Sequence, residues 1–218
     1  MQKYKLIFKD NYGVEHADCL TDGSILYTTL RGYQFEGSSF NMFEPKISEL
    51  ESFQENFETI GNCICGVFIL FIPLTIEIGN TNHIVELKLE FDYREEADIR
   101  ASLVLQGIHY SSVDSFGWVE DALCHLQTLL HQNAHIHSCL TCAYSHYHPA
   151  GSNDLGSLLC LKAVKSTALN KVRDKQSLMD LLDADENNSL IDQVLEIHNC
   201  EQFKSPKKTD WLYKNSFL

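Results

Sequence analysis

Three cysteines around a turn in the second half of the chain constrain its fold more than any other feature. Cys139 and Cys142 are separated by two residues, a stretch rich in Tyr, His, Pro and Gly follows, and Cys160 lies on an apolar run. A Cys-x2-Cys pair is a usual way to supply two of the four ligands of a tetrahedral zinc ion. The spacing therefore predicts a zinc site that fastens this loop-rich segment to the rest of the fold.

The fourth ligand has to come from elsewhere in the sequence. Cys200 follows a predicted strand, and a sheet can bring it to the other three cysteines. A zinc ion closed by four thiolates leaves no position for water, so such a site stabilises a fold and does not hydrolyse a substrate. We therefore predict a structural Zn²⁺ site with these ligands: Cys139, Cys142, Cys160 and Cys200.

Other interpretations of the same residues remain open. His146 or His148 can replace one cysteine, although ligands this close in sequence differ from the usual zinc-finger spacing. Zinc held by only three protein ligands would keep a position for water and would fit a zinc-dependent hydrolase. Reduced cysteines without a metal would also fit, since the thiol packs as a small apolar side chain.

The charge of the chain restricts its partners. Its 218 residues include 17 Lys and Arg against 30 Asp and Glu, which gives a formal net charge of -13. Such a field repels nucleic-acid phosphates and anionic lipids, and it attracts basic proteins. We therefore expect neither nucleic-acid nor membrane binding, and a basic partner such as a toxin domain.

The start of the chain and its longest apolar run indicate the compartment. The residues after Met1 lead directly into a predicted strand and lack the pattern of a signal peptide. The longest apolar run covers residues 63–72, stops at Pro73 and is too short to cross a bilayer. We expect a cytoplasmic protein, in which the eight cysteines serve as thiols or metal ligands and not as disulfides.

Hydrophobic patterning predicts an α+β fold in a single domain, residues 1–218. Short apolar runs joined by tight turns predict a largely antiparallel sheet in a β-rich part, residues 1–112. Within it, the continuous apolar run of residues 63–78 predicts a central strand covered on both faces. Residues 84–91 alternate between apolar and polar, which predicts a strand with one solvent-facing side.

The part from residue 113 to residue 218 has a different hydrophobic pattern, which includes predicted helices. Ser115 can cap an amphipathic helix that runs to about His131, because apolar residues recur there every three or four positions. Further predicted elements are a strand at 158–164, a helix at 174–182 and a strand at 191–198. We expect this part to be stapled by the zinc site and to pack onto the sheet.

Sequence tests for common catalytic motifs are negative. The chain contains no glycine-rich phosphate loop, no His-Glu-x2-His and no Gly-x-Ser-x-Gly. A calcium loop beginning at Asp183 fails, because Asn188 replaces its glycine and Val194 its last glutamate. The leading expectation is a non-enzymatic binding protein, similar to the immunity proteins with which bacteria neutralise secreted toxins. A zinc-dependent enzyme and a structural or regulatory subunit are the alternatives.

A resemblance to a known family rests on the cysteine-bearing segment. The sequence there reads Cys139-x2-Cys142-x-Tyr144-Ser145-x-Tyr147-x-Pro149-x-Gly151, then Gly156-x-Leu158-x-Cys160, and later Val194-x-Glu196 before Cys200. From residue 139 to 203 it resembles a family of uncharacterised bacterial proteins, and the corner at 34–37 is similar to that family's N-terminal part. The resemblance implies that the four cysteines act together, and it implies no activity. The chain departs from the family pattern at His146 and after Phe203.

Overall fold

Antiparallel strands dominate the structure. The computed structural model describes residues 1–45, 53–112, 116–131, 133–151, 154–164, 169–185 and 190–206. The elements in these residues are β1 (Gln2–Asp10), β2 (Gly13–Thr21), β3 (Leu26–Leu30), β4 (Tyr33–Gly37), β5 (Glu44–Pro45), β6 (Thr59–Ile60), β7 (Cys63–Ile64), β8 (Val67–Ile78), β9 (Thr81–Asp92), β10 (Asp98–Leu105), β11 (Ile108–Ser111), α1 (Val119–Leu129), β12 (Ala134–His137), β13 (Ser145–Tyr147), β14 (Ser157–Cys160), α2 (Lys175–Ala184) and β15 (Asp192–Leu195).

A ten-stranded antiparallel sheet forms the body of the molecule. Nine of its strands follow the order β11-β10-β9-β8-β1-β2-β3-β4-β5, and β12 pairs with β8 beside this path. The two longest strands, β8 and β9, pair along their whole length, from Val67 opposite Asp92 to Ile78 opposite Thr81. The largely antiparallel N-terminal sheet predicted from the sequence is therefore confirmed, and two α-helices beside so many strands fit the α+β class.

The inner face of the sheet carries the apolar core. The ring centroids of Phe40 and Phe68 lie 4.8 Å apart with nearly parallel planes, and those of Phe8 and Phe68 are also 4.8 Å apart. Arg31 lies over the edge of this cluster, with its guanidinium carbon 4.8 Å from the centroid of Phe57. The buried phenylalanines are Phe8, Phe35, Phe40, Phe43, Phe53, Phe57, Phe68 and Phe91.

The outer face of β8 is partly open to solvent, so the prediction that this strand is covered on both faces is wrong. The first residues of the strand, 67–70, are all buried, but Phe71 is half-buried and Pro73 is exposed. The alternating pattern predicted for residues 84–91 is confirmed, since Leu87 and Leu89 are fully buried and Glu86 is exposed. The apolar run of β8 therefore continues onto a surface that faces solvent.

Helix α1 covers the inner face beside β10. Glu120 and Asp121 occupy its first turn, where the helix dipole favours negative charge. The predicted helix is confirmed, but it begins after Trp118, and Ser115, the predicted cap, lies outside the described residues. The side chains that α1 buries in the core are Val119, Ala122, Leu123 and Leu126.

A small three-stranded sheet and helix α2 form the C-terminal part. The strands lie in the order β13-β14-β15, with Ser145 opposite Cys160 and Ser157 opposite Leu195. β14 is shorter than predicted, because Val164 N–H turns back to the Leu161 carbonyl at 3.0 Å. No helix in the described part of the chain has the length and apolar character needed to cross a membrane.

Apolar side chains of the C-terminal part join the core of the large sheet. Leu158, Leu195 and Ile197 are buried in the same cluster as the inner-face phenylalanines. A second, smaller cluster lies between α2 and the outer side of β14, and it includes Leu161 and Leu178. The contiguous main core ties the two parts together, while the single domain and the soft division near residue 112 stay predictions.

Strand β8 changes its neighbour at Pro73. On the side away from β9, it pairs with β1 over residues 67–71 and with β12 over residues 75–78. Proline has no backbone N–H to donate to a neighbouring strand, so the gap between β1 and β12 at Pro73 leaves no N–H of β8 without a partner at that residue. Asn199 fills this break: its Nδ2 donates to Thr75 Oγ1 at 3.3 Å, and its carbonyl accepts from Gln2 Nε2 at 3.4 Å.

Candidate functional site

The backbone brings the four cysteine-bearing segments into one region. Cys139 N–H donates to the carbonyl of His198 at 2.9 Å, and Ala143 N–H donates to the carbonyl of Lys204 at 2.8 Å. β14, which ends at Cys160, pairs with β13. The segments that the sequence analysis selected are therefore neighbours in the fold.

The side chain of Cys139 belongs to the core of the large sheet. It is 2% exposed and lies close to Tyr4, in the core cluster to which Cys19 also belongs. Burial raises the pKa of the Tyr4 phenol, and the two nearby thiols raise it further. Burial also raises the pKa of Cys19 to about 12, against a hydrogen bond from the backbone of Tyr27. The surroundings of Cys139 are thus apolar and hold a second thiol.

Cys160 has two of the other predicted ligands near it. Burial raises the pKa of Cys160, and the neighbouring thiols of Cys142 and Cys200 raise it further. The backbone and the ammonium group of Lys162 act in the opposite direction. Cys142 and Cys160 are buried, whereas Cys200 is half-buried. Cys142 and Cys200 therefore each lie within electrostatic range of Cys160.

The zinc site itself stays a prediction. In the described part of the chain, no group of three or more His, Cys, Asp and Glu side chains is arranged to hold a metal ion. The alternative ligand His146 is buried in β13 opposite Leu159. His148 is half-buried, and its Nδ1 accepts from Ala150 N–H at 3.1 Å. The backbone brings the cysteine-bearing segments together, and the set of zinc ligands stays a prediction.

A buried carboxyl group beside the cysteine-bearing segments was missed by the sequence analysis. Glu196 is 1% exposed, the Tyr147 hydroxyl donates to its Oε1, and Gly156 N–H donates to its Oε2 at 3.0 Å. Burial raises the pKa of Glu196 well above its ordinary value. The charges of Glu120 and Asp154 raise it further, and the two hydrogen bonds oppose the shift.

A second buried pair lies next to Glu196. The Tyr93 hydroxyl donates to Asp154 Oδ2 at 2.5 Å, and Val119 N–H donates to the Asp154 carbonyl at 2.8 Å. Asp154 therefore joins the end of β9 to the start of α1. Burial raises the pKa of Tyr93 well above its ordinary value, and Asp154 adds to the shift. Both carboxyl groups are enclosed, so they connect elements and do not face a substrate.

The thiols whose pKa shifts are resolved are held in their protonated, weakly nucleophilic form. Burial is the main cause in each case, and it raises the pKa of Cys124 to about 12, with Glu120 and Asp121 adding to the shift. Reactive cysteines have lowered pKa values, because the thiolate is the nucleophile. The thiols with raised pKa are Cys19, Cys63, Cys65, Cys124 and Cys160.

The solvent-facing side of the large sheet is the other candidate site, and we call it the open face. Several of its apolar side chains are exposed, with Ile84 at 79%, Val104 at 54% and Leu20 at 36%. Charged side chains of both signs lie between them. The open face is defined by Lys3, Lys5, Ile7, His16, Asp18, Leu20, Tyr27, Glu36, Phe71, Pro73, Ile84, Glu86, Lys88 and Val104.

A groove crosses the open face from β4 to β9. Its two sections have volumes of about 700 Å³ and 460 Å³, and both are lined by His16 and Asp18. Glu36 lines one section and Glu86 the other. Within the groove, Lys3 Nζ lies 2.7 Å from Asp18 Oδ2. The groove therefore has a carboxylate near each end and an ion pair between them.

Comparison with known proteins gives a family and no activity. No curated protein and no solved structure matches the chain significantly. The model of a family of unknown function, DUF6304, matches residues 2–145, which is more than half of the 218 residues. The match includes Cys139 and Cys142, and the signature that joins them to Cys160 and Cys200 stays a prediction. The chain therefore belongs to the family of unknown function DUF6304.

Proposed function

We propose that the chain is a non-enzymatic, zinc-stabilised module that binds a basic protein in the cytoplasm. The observation that carries this proposal is the open face, where Leu20, Ile84 and Val104 leave apolar area in contact with water. Exposed apolar side chains that line a groove between polar groups, as Leu20 does here, are typical of interaction sites on soluble proteins. The raised pKa values of the buried thiols support a binding role over nucleophilic catalysis.

The net charge supports a basic partner. At -13, the chain attracts cations over distances of a Debye length and repels other acidic proteins. Such a field mainly raises the association rate and the specificity of a complex. All eight cysteines are thiols and not disulfides, which supports a reducing compartment such as the cytoplasm.

An immunity protein that neutralises a secreted toxin is the specific form of this proposal. Such a protein acts by covering its target, so it needs a complementary surface and no catalytic centre. The partner would be a basic toxin domain, because its net positive charge is opposite to the net negative charge of the chain. The analogy rests on the acidic charge and the exposed binding surface.

Zinc belongs to the proposal as a structural staple of the C-terminal part. The strands there are only three or four residues long, so a metal would add stability to a part with few strand-to-strand hydrogen bonds. The proposed ligands are Cys139, Cys142, Cys160 and Cys200. The proximity of Cys142 and Cys200 to Cys160 supports the site, and the burial of Cys139 in the apolar core makes it the ligand to test first.

Metal content of the purified full chain tests the zinc proposal. We expect one zinc per chain in the wild type and in a Cys124→Ser control, and none after Cys142→Ser or Cys200→Ser. Zinc lost in Cys139→Ser would support four thiolates, and zinc retained there would leave a three-cysteine site with room for water. A wild type without zinc would contradict this part of the proposal.

The binding proposal is tested with the tagged chain and cells of its source organism. Proteins captured at low salt are identified by mass spectrometry, and the association rate of each purified candidate is measured as salt increases. We expect a basic protein whose association rate falls at least tenfold between low and high salt. A partner that is acidic, or whose association rate does not change with salt, would contradict the proposal.

A further inference from the structure

One row of side chains crosses the open face at right angles to the strands. On one side of the row, Glu36 of β4 lies opposite Tyr27 of β3, and Tyr27 lies opposite Leu20 of β2. On the other side, Pro73 of β8 lies opposite Glu86 of β9. Lys3 joins the two halves, because it lies opposite Leu20 and lines one cavity together with Pro73. The row therefore has a carboxylate at each end and three apolar side chains between.

The charges along this row favour a partner with cations near its two ends. Asp18 neutralises Lys3 in the middle of the row. Glu36 and Glu86 form no ion pair with any residue of the described ranges, and Glu36 also lies directly opposite Glu44 of the edge strand β5. Like charges in this position repel each other, so a cation between them would be stabilising. Lys5 lines the same section of the groove as Glu86, and Lys3 the same section as Glu36, but neither lysine forms an ion pair with these two carboxylates.

The length of the row selects the kind of segment that fits. From β4 to β9 there are five strand spacings, which amount to about 24 Å at roughly 4.8 Å each. An α-helix of about 16 residues has this length, since it rises about 1.5 Å per residue. The six strands already pair with neighbours on both sides, so an extended segment would gain no backbone hydrogen bonds here. A helix satisfies its own backbone and needs only side-chain contacts.

We infer that the groove binds one amphipathic helix of the basic partner, lying across strands β4 to β9. Its apolar side chains cover Tyr27, Leu20 and Pro73, and a Lys or Arg near each end contacts Glu36 and Glu86. This inference rests on the proposed function and specifies its binding surface. It also explains why apolar residues occupy the solvent-facing positions of interior strands.

A designed probe peptide tests the groove directly. The probe is an 18-residue helix of Leu and Lys with its lysines at both ends, and its counterpart has Glu in place of Lys. Affinities for the full-length chain are measured by fluorescence anisotropy, and hydrogen exchange locates the protected segments. We expect the Lys probe alone to bind and to protect β1 to β4 and β8. The variant Glu36→Lys/Glu86→Lys should bind it at least tenfold more weakly.

A matched variant separates local recognition from net charge. Asp180→Lys/Asp183→Lys makes the same charge change on exposed positions of α2, and we expect it to change the affinity less than twofold. Equal weakening by both variants would overturn the groove while leaving a basic partner in place. A Lys probe that does not bind at all would overturn both the helix-binding groove and the preference for a basic partner. A wild-type dimer that the groove variant converts to monomer would instead assign the groove to a second copy of the chain.

Discussion

Strands β8 and β14 are stabilised by different interactions. β8 has 12 residues, lies between β9 and β1, and buries Phe68, Leu70 and Ile72 among other apolar side chains. β14 has four residues and buries Leu158 and Leu159, and Tyr147 and Gly156 beside it donate hydrogen bonds to the buried carboxyl group of Glu196. Both regions bury apolar side chains, and the second adds an enclosed carboxyl group with hydrogen-bonded partners. Stability in the second region should therefore depend far more on pH and on metal.

Phe68→Ala should have the largest effect, because it opens a cavity inside the phenylalanine cluster. We expect a loss of about 3–5 kcal/mol in the free energy of unfolding, measured by urea denaturation. Phe71→Ala in the same strand is the matched control, since Phe71 lies on the half-covered open face. It should cost at most about half as much. Equal losses would show that the open face is covered in solution.

Tyr147→Phe should come next, because it removes one hydrogen bond from an enclosed carboxyl group. We expect a loss of about 1–3 kcal/mol, seen by hydrogen exchange as easier opening of β13 to β15 while β1 and β8 keep their protection. Tyr144→Phe is the control, because Tyr144 is half-exposed and keeps the ring over which Lys204 Nζ lies at 4.8 Å. Loss of protection across the whole molecule would mean that the two regions open together.

The pH dependence of the C-terminal part should follow Glu196. Its pKa is raised in the folded chain, so the protonated form stabilises the fold fully below the unfolded pKa of about 4.5. That stability is lost as pH rises from there through the folded pKa. Compared with Glu196→Gln, the wild type should lose unfolding free energy between pH 4 and pH 8. A difference between the two proteins that stays constant over this range would contradict the assignment.

Asp18→Asn should have the smallest effect, although it breaks an ion pair of 2.7 Å. The side chains of Lys3 and Asp18 are 63% and 54% exposed, and exposed pairs contribute less than about 1 kcal/mol. Urea denaturation in low and high salt measures the difference. A loss above about 2 kcal/mol would show that this pair is shielded from water, as it would be beneath a bound partner.

The sequence was sufficient for elements whose pattern depends on burial alone. The alternation from Ile84 to Phe91 and the spacing of apolar residues in α1 each have one buried side, so the periodicity of the residues matched the structure. The prediction that β8 is covered on both faces was wrong, because Phe71 and Pro73 occupy its solvent-facing positions. A strand with an exposed apolar face has the same apolar sequence pattern as a strand buried on both faces.

The buried pairs could not be found by periodicity. Glu196 stands in an otherwise apolar run next to Leu195 and Ile197, and this anomaly was the only local signal of its role. Its partner Tyr147 is 49 residues away in sequence, so only the folded chain shows the pair. The approach of Cys200 to Cys160 is hidden for the same reason, since the two residues are distant in sequence.

The break in the sheet at Pro73 has a consequence for the order of folding. Gln2 and Asn199 meet there across 197 positions, so the sheet is completed by one of the most distant contacts that the chain contains. Contacts of such sequence separation slow folding. During synthesis, β1 can pair with β2 and, over Lys5–Lys9, with β8, but the start of β1 gains its contact to Asn199 only after residue 199 has left the ribosome. An unpaired stretch of strand edge can recruit other chains, so we expect the growing chain to need protection from aggregation until the segment around Asn199 has docked.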